Sequence, residues 1–355
     1  MTAATMEALV LTAPGEVANR RVPVPAALEG DDVLIRVTRA GICGSELEAV
    51  ATKSPRRVPP LIMGHEFAGR LESVGPGAAA AGWRVGDRVV PNPLVPCMRC
   101  RSCSRGLTNA CPNRTLLGLN LDGGHAELVR CQARQLRRIP DGLTDEGAAT
   151  AEPLAVAVHG VRLLGGTAVL PRSIAVFGAG TIGLLVLQAA RLAGATTTLV
   201  LDVDAGRLEI ARRLGAGLTL DPRTPQGSGE GLLAAAHALA GEDGFDGAID
   251  AVGRGDTRGA AMRLVRPGGT VVWIGSAENQ ITMMGMDVVL GERRIQGAYA
   301  YTDEDFDTAL GLLAAGKVDT ASWSRTYPLS EAAAVFTRIL RREEAAVKVL
   351  LDPAS

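Results

Sequence analysis

The chain has 355 residues, of which 47% are hydrophobic and 3% aromatic, and its 37 basic and 38 acidic residues leave a net charge of −1. Length and apolar content predict two domains, each with its own core. The balanced charge and the scarcity of aromatic side chains argue against a nucleic-acid partner. No apolar run reaches the ~18 residues of a membrane span, and the N-terminus does not resemble a signal peptide, so we expect a cytoplasmic protein without a membrane partner.

Short strand-like runs separated by glycine and proline fill roughly the first 150 residues, as in residues 33–37 and 87–90. The frequent turn residues and the lack of long amphipathic stretches indicate a β-rich domain.

Four of the six cysteines lie close together, at Cys97, Cys100, Cys103 and Cys111. The short gaps allow all four thiolates to reach one tetrahedral ion and leave no open coordination position, which is typical of a structural zinc site. This cluster is expected to order a loop and to take no part in catalysis. Cys131 lies apart in a strand-like run and is expected in the core.

Strands alternate with helices from about residue 173 onward. The predicted strands are 174–177, 198–202, 218–220, 245–251, 270–274 and 294–299. The predicted helices are 181–193, 205–214, 230–240 and 257–265. This alternation predicts a doubly wound parallel sheet with helices on both faces, which is the dinucleotide-binding fold.

A glycine fingerprint connects the first of these strands to the first helix. Gly178 permits the tight turn, Gly180 lets the backbone approach a pyrophosphate, and Gly183 lets the helix pack closely on the strand. Asp202, at the end of the next strand, favours NAD over NADP because its carboxylate accepts the ribose hydroxyls and repels a 2′-phosphate. Arg207 either borders the adenosine or is a solvated helix residue.

The C-terminal residues are predicted to form helices 304–314 and 330–341 and a strand at 346–351, with Gly316 ending the first helix. We expect this segment to return to the first domain.

Several further segments occur in a characteristic order. They are G-I-C-G-S-E at 41–46, G-H-E-F-A-G at 64–69, G-D-R-V at 86–89 and E-P-L-A-V at 152–156. Together with the four cysteines and the glycine fingerprint, they make nearly the whole chain resemble the zinc-containing medium-chain alcohol dehydrogenase family, above all its sorbitol, threonine and polyol dehydrogenase branch. The resemblance implies an α/β chain with a β-rich GroES-like catalytic domain at 1–153 and 298–355 and a Rossmann NAD-binding domain at 154–297.

The resemblance also implies a catalytic zinc, which spacing alone does not, so two zinc ions per subunit are expected. Cys43 and His65 match ligands of that zinc, and Glu66 would complete or alternate in its coordination. Glu152 matches the fourth-ligand position, where it would bind the ion or hold its water.

Other residues match the catalytic and coenzyme-binding positions of the family. Ser45 matches the hydroxyl that takes the alcohol proton, and Glu46 matches an acid that orients the zinc-binding histidine. Glu48 replaces a common relay histidine and would itself accept the proton, unless the relay ends at the ribose or at water. Coenzyme contacts are further expected from Thr181, Ile182, Val252, Gly275, Ser276 and Tyr299.

The implied activity is hydride transfer between NAD and a secondary alcohol, such as a polyol, sugar or cyclitol, in a homodimer or homotetramer. Ala300 occupies a position where polyol dehydrogenases often carry arginine, which argues against sorbitol itself. Lys53, Arg56 and Arg57 precede His65 and either form a solvated loop or receive an anionic substrate.

Two alternatives remain at this stage. A zinc-free quinone or enone reductase of the same superfamily would usually lack both cysteine-containing sites. A redox-inactive NAD-binding scaffold would have kept the fold without the chemistry.

Overall fold

A computed structural model describes residues 4–25, 28–165 and 171–354. The chain forms two compact units, of which unit 1 contains residues 1–152, 310–316 and 320–355, and unit 2 contains residues 153–309 and 317–319. Compact units are not by themselves evolutionary domains, so the domain limits given above remain a prediction.

Unit 1 is rich in strands from its first residues. Its strands up to residue 152 are β1 (Thr5–Ala13), β2 (Glu16–Pro23), β3 (Asp32–Ile42), β4 (Leu61–Ile62), β5 (Glu66–Val74), β6 (Arg88–Pro91), β7 (Leu94–Val95), β8 (Thr115–Leu116), β9 (Leu128–Gln132) and β10 (Leu136–Arg138). Its helices are α1 (Gly44–Ala51), α2 (Pro76–Ala80), α3 (Arg101–Ser104) and α4 (Asp145–Ala149), and α5 (Ala151–Gly165) continues into unit 2.

Unit 2 alternates strand and helix. Its elements are β11 (Ser173–Phe177), α6 (Thr181–Leu192), β12 (Thr197–Leu201), α7 (Ala205–Arg213), β13 (Leu218–Leu220), α8 (Gly229–Ala240), β14 (Phe245–Asp250), α9 (Gly255–Leu264), β15 (Val265–Trp273), α10 (Gly285–Val289), β16 (Arg294–Gly297) and the first part of α11 (Asp303–Ala314). The chain then supplies unit 1 with β17 (Ser324–Pro328), α12 (Ala332–Leu340) and β18 (Lys348–Asp352).

The main sheet of unit 1 has the order β10-β6-β5-β3-β18-β17, and β9 also pairs with β3. A smaller sheet has the order β2-β1-β4. Alternating side chains of β3, such as Val33, Ile35 and Val37, point into one hydrophobic core. Because β18 pairs with β3, the predicted return of the C-terminal residues to the first domain agrees with the structure.

The sheet of unit 2 has six parallel strands in the order β13-β12-β11-β14-β15-β16. All six predicted strands and all four predicted helices are present, with shifted limits. The largest shift is in β15, which begins at Val265 because its first residue already pairs with Phe245 before the glycines at 268 and 269. Helix α5 was missed, although proline in a first helical turn, here Pro153, is well tolerated.

No helix in the described part of the chain combines the length and apolar composition needed to cross a bilayer.

Candidate active site

The glycine fingerprint of unit 2 forms a tight connection between β11 and α6. Gly178 has φ of +94°, a conformation that favours glycine. A Cβ on Gly183 would lie 1.7 Å from the carbonyl oxygen of Gly178, so only glycine permits this packing. Gly180 precedes the first turn of α6 and has no side-chain cap, which leaves the helix N-terminus suited to an anion.

Asp202 follows β12 and lies beside this loop. Its Oδ2 accepts the Ala179 N–H at 2.6 Å, and its Oδ1 accepts the Asp204 N–H at 2.9 Å. The Nη1 of Arg207, which is exposed, lies 3.9 Å from the position that a Cβ on Gly180 would take. The structure therefore places the predicted acid and arginine next to the glycine loop.

The remaining predicted coenzyme residues follow the next strands of the sheet. Buried Asp250 ends β14 and accepts the N–H groups of Val252 and Gly253 at 3.0 Å. A Cβ on Gly253 would lie 2.2 Å from the carbonyl carbon of Gly275, so the loops after β14 and β15 are in close contact. Ser276 and Tyr299 are exposed, after β15 and β16.

These residues meet the requirements of a dinucleotide. A pyrophosphate needs a glycine loop at an uncapped helix N-terminus, and a ribose needs an acceptor at the end of the neighbouring strand. Both are present, at the carboxyl ends of parallel strands, where open α/β sheets bind their ligands.

Three of the four residues predicted to hold the catalytic zinc converge in unit 1. Cys43 lies between β3 and α1, Glu66 is the first residue of β5, and His65 immediately precedes it. One donor atom from each of these residues lies within 4.8 Å of the others. Sulfur, imidazole and carboxylate donors form a set that zinc accepts and that leaves a position open for substrate. Glu152, buried in the first turn of α5, is not part of this group.

Glu46 orients the histidine from the first turn of α1. Its Oε1 lies 2.9 Å from Nδ1 of His65 and accepts the Gly64 N–H at 2.9 Å, while its Oε2 accepts the Cys43 N–H at 3.1 Å. Burial raises the pKa of Glu46, but the charges of His125 and His65 outweigh it and hold the pKa well below its usual range. The ionised carboxylate therefore fixes Nδ1 and leaves Nε2 of His65 for a metal.

Lys348, which the sequence analysis missed, forms a buried ion pair with Glu66. Its Nζ contacts Oε2 of Glu66 and donates to the carbonyl oxygen of Ile42 at 3.0 Å. Burial lowers the pKa of Lys348, but the charges of Glu66 and Cys43 raise it above its usual value. Gly41 makes room for the pair, because a Cβ there would lie 2.3 Å from Oε2 of Glu66. In the sequence, the signal that could have revealed Lys348 is a lysine within an otherwise apolar strand.

The predicted proton acceptor lies beside the metal ligands. The hydroxyl of Ser45 is 3.3 Å from Sγ of Cys43. Glu48 is exposed on the same helix, α1. The basic segment is not uniformly solvated, because Lys53 and Arg56 are exposed whereas Arg57 is buried.

The four clustered cysteines form a second group, whose sulfur atoms all lie within 4.8 Å of one another. The Sγ of Cys100 is 3.5 Å from that of Cys103 and 3.8 Å from that of Cys111. Sulfurs bound to one tetrahedral zinc at about 2.3 Å would lie about 3.8 Å apart. The spacing therefore fits a structural zinc site. Cys131 is buried in β9, where burial raises the pKa of its thiol.

Comparison with known proteins identifies both parts of the chain. Residues 29–141 match the family model of the alcohol dehydrogenase GroES-like domain, and residues 181–315 match that of the zinc-binding dehydrogenases. D-xylulose reductase A of Aspergillus oryzae is 33% identical over 305 residues, which cover 83% of this chain and 82% of that protein. D-arabitol-phosphate dehydrogenase of Enterococcus avium is 30% identical over 355 residues, which cover 98% of this chain and 97% of that protein.

A solved structure gives the same result. The crystal structure of a zinc-binding dehydrogenase from Sinorhizobium meliloti, bound to NADP, superposes with a TM-score of 0.87 at 32% identity and covers 99% of this chain and 100% of that one. These comparisons confirm the predicted fold class and the predicted resemblance.

Proposed function

Since the chain belongs to the family of zinc-binding alcohol dehydrogenases, we propose that it transfers a hydride between the carbon of a secondary alcohol and C4 of the NAD nicotinamide. The observation that carries the proposal is the convergence of Cys43, His65 and Glu66 within 4.8 Å. Polyols, sugars, cyclitols and related alcohols are the substrate class, in keeping with relatives named for xylulose and arabitol phosphate.

NAD is the proposed coenzyme because of Asp202. Its carboxylate stands beside the glycine loop, where it would accept the ribose hydroxyls and repel the 2′-phosphate of NADP. Gly178, Gly180, Thr181, Ile182 and Gly183 would hold the pyrophosphate. Arg207 would border the adenosine, and the nicotinamide half would contact Val252, Gly275, Ser276 and Tyr299.

In unit 1, zinc would be held by Cys43, His65 and Glu66, and when bound it supplies the Lewis acidity that lowers the pKa of an alcohol. Glu46 keeps His65 in the orientation and tautomer that ligation needs. We assign the fourth position to Glu152 or to a water that it holds.

The alcohol proton would pass to Ser45, whose hydroxyl lies next to Cys43. Glu48 lies three residues further along α1, about one helical turn away, and is exposed. It is our proposed outer proton acceptor.

Two measurements test this function. Metal analysis should find two zinc ions per subunit, and a panel of polyols, sugar phosphates, amino alcohols and nucleosides with NAD should produce NADH absorbance. A zinc-free protein that reduces quinones or enones would contradict the proposal. A protein that holds two zinc ions and binds NAD but oxidises no alcohol would also contradict it. That result would favour the redox-inactive NAD-binding scaffold.

We further propose a homodimer or a homotetramer. Strand β16 is an edge of its sheet, and Met284, Met286, Val289 and Leu290 before it are 60 to 75% exposed. An unpaired edge beside exposed apolar side chains favours pairing with a second copy. Light scattering should give at least a dimer for the native chain and a monomer for the double variant Val289→Glu, Leu290→Glu. Val85→Glu, a control at an exposed site of unit 1, should leave the mass unchanged.

A cytoplasmic location is also proposed. Four cysteines that would bind zinc must remain reduced, which a reducing compartment ensures. Fractionation of the source cells would test it, and recovery in an oxidising compartment would contradict it.

A further inference from the structure

Arg57 is a buried cation close to the proposed metal ligands. Its side chain lies in the segment between α1 and β4, and the residue is 7% exposed. Its Nη1 donates to the carbonyl oxygen of Ser45 at 3.0 Å and its Nε to that of Gly118 at 3.3 Å. Its Nη2 donates to the hydroxyl of Ser45 at 3.4 Å, so two hydrogen bonds separate the guanidinium from Sγ of Cys43.

No carboxylate neutralises this guanidinium within 4 Å among residues 4–25, 28–165 and 171–354. Buried arginines are normally paired with an acid, because an unpaired charge is costly to bury. Glu46 is close enough for Arg57 to lower its pKa, but the hydrogen-bond partners of its two oxygens are His65 and the N–H groups of Cys43 and Gly64 rather than Arg57.

Arg57 also has donors to spare. A guanidinium carries five N–H groups, and the described contacts of Arg57 use three of them. The remaining two are on Nη1 and Nη2, the nitrogens that bond to Ser45. A second acceptor placed there would lie beside the proposed proton acceptor of the reaction.

We propose that Arg57 binds an oxyanion on the substrate, a phosphate or a carboxylate. The inference rests on the proposed function and narrows its substrate to polyol monophosphates or hydroxy acids. A planar guanidinium suits both groups because it can donate two parallel hydrogen bonds. Lys53 and Arg56, exposed on the same segment, are assigned no contact with the substrate.

The test compares Arg57→Met with Arg56→Met, a matched variant one residue away. For each enzyme, kcat/KM is measured with a neutral polyol, its monophosphate and the corresponding aldonate. We expect Arg57→Met to lower the ratio of anionic to neutral kcat/KM by about 10- to 100-fold, as the loss of a charge-assisted hydrogen bond implies, and Arg57→Lys to restore part of it. Arg56→Met should leave the ratio unchanged. The monophosphate and aldonate arms identify which oxyanion is used.

Inorganic phosphate provides an independent probe on the native enzyme. It should compete with a neutral alcohol, and the competition should be lost in Arg57→Met and kept in Arg56→Met. Zinc content and thermal unfolding show whether Arg57→Met is folded. If it is not, phosphate competition in the native enzyme and the ratio of anionic to neutral kcat/KM in Arg57→Lys test the inference instead.

Equal losses for charged and neutral substrates would overturn the inference and leave a purely structural role for Arg57. So would a native enzyme that prefers neutral alcohols and ignores phosphate, although the proposed function would then stand. A native enzyme that oxidises none of these alcohols would refute the proposed function itself.

Discussion

Two buried side-chain pairs hold the proposed zinc ligands His65 and Glu66, namely Glu46 with His65 and Lys348 with Glu66. Glu46 also accepts the N–H groups of Cys43 and Gly64, and Glu66 is paired with the Lys348 cation, so the position of neither carboxylate depends on the metal. Buried pairs of this kind contribute little net stability, but they are costly to break from one side. Their effect here is to place the ligands before the metal binds.

Replacing Lys348 by methionine would leave Glu66 buried without a counter-charge. We expect the free energy of unfolding to fall by about 3 to 5 kcal/mol, which is the usual cost of removing one partner of a buried pair. Urea unfolding measures the change. Lys317→Met, at an exposed lysine, should stay within about 0.5 kcal/mol of the native chain. A Lys348→Met protein as stable as the native one would show that the pair does not matter.

Replacing Asp202 by serine should change coenzyme preference, because the carboxylate that would repel a 2′-phosphate is removed. The ratio of kcat/KM with NADP to that with NAD should rise by at least about tenfold, which is the effect of one charged contact. Steady-state kinetics with both coenzymes measures it. Asp204→Ser, two residues away and exposed, keeps a side chain able to cap α7 and should leave the ratio unchanged. An unaltered ratio in Asp202→Ser would place coenzyme selection elsewhere.

The sequence alone could predict those site residues that belong to a motif formed by their neighbours in the chain. Gly178 and Gly183 form the predicted tight turn and Asp202 lies beside it, because these positions depend on neighbouring strand and turn residues; their coenzyme-binding roles stay a prediction. Lys348 could not be found in this way, because its partner is 282 positions distant and only the pairing of β18 with β3 brings them together. The sequence likewise could not predict that Arg57 is buried, because basic residues in a loop are usually exposed to solvent.

At the scale of elements, the segment 97–111 has little regular structure, and its backbone hydrogen bonds join residues only a few positions apart. It contains one four-residue helix, α3, and Cys103 and Cys111 are its buried cysteines. So short a helix has little stability of its own, and a metal is the ordinary substitute for a core. The segment is therefore expected to be ordered by zinc.

Replacing Cys111 by serine should remove one of the two zinc ions per subunit and make the segment sensitive to proteases. Metal analysis and limited trypsin digestion at Arg99, Arg101 and Arg105 measure the two effects. Cys131→Ala, outside the cluster, should keep both ions. Two zinc ions in Cys111→Ser would contradict the assignment of this group as a metal site.

Element prediction succeeded where strands and helices alternate, as at β11, α6 and β12, and it missed α5 and the shorter α1. Most residues of α5 from Ala151 to Leu164 are buried, as they are in α6, but α5 follows no predicted strand and no glycine fingerprint that would mark it as a helix. Burial imposed by the folded units, rather than local propensity, determines such a helix.

At the scale of the whole molecule, unit 1 is built from both parts of the chain that flank unit 2. Strand β18 lies between β17 and β3 in its main sheet, and it carries Lys348. The proposed metal ligands all precede residue 153, yet their support comes from residues after 347.

Deleting residues 348–355 should therefore abolish the zinc site at Cys43, His65 and Glu66, although every ligand remains. The reason is that β3 loses a paired strand and Glu66 loses its cation. Zinc titration of the purified chain measures the loss. Deleting only residues 353–355, which follow β18, should leave zinc binding intact. Native zinc affinity in the longer deletion would show that β18 is dispensable.

The position of Lys348 has a consequence for biosynthesis. A ribosome must add more than 280 amino acids after Glu66 before the lysine that neutralises it exists. Until then Lys348 cannot neutralise the carboxylate, and burial of an unpaired charge is costly. Unit 2 contains no residue beyond 319, so all of its residues have been synthesised before Lys348. Metal capture by the newly made enzyme should thus be among its final steps of maturation.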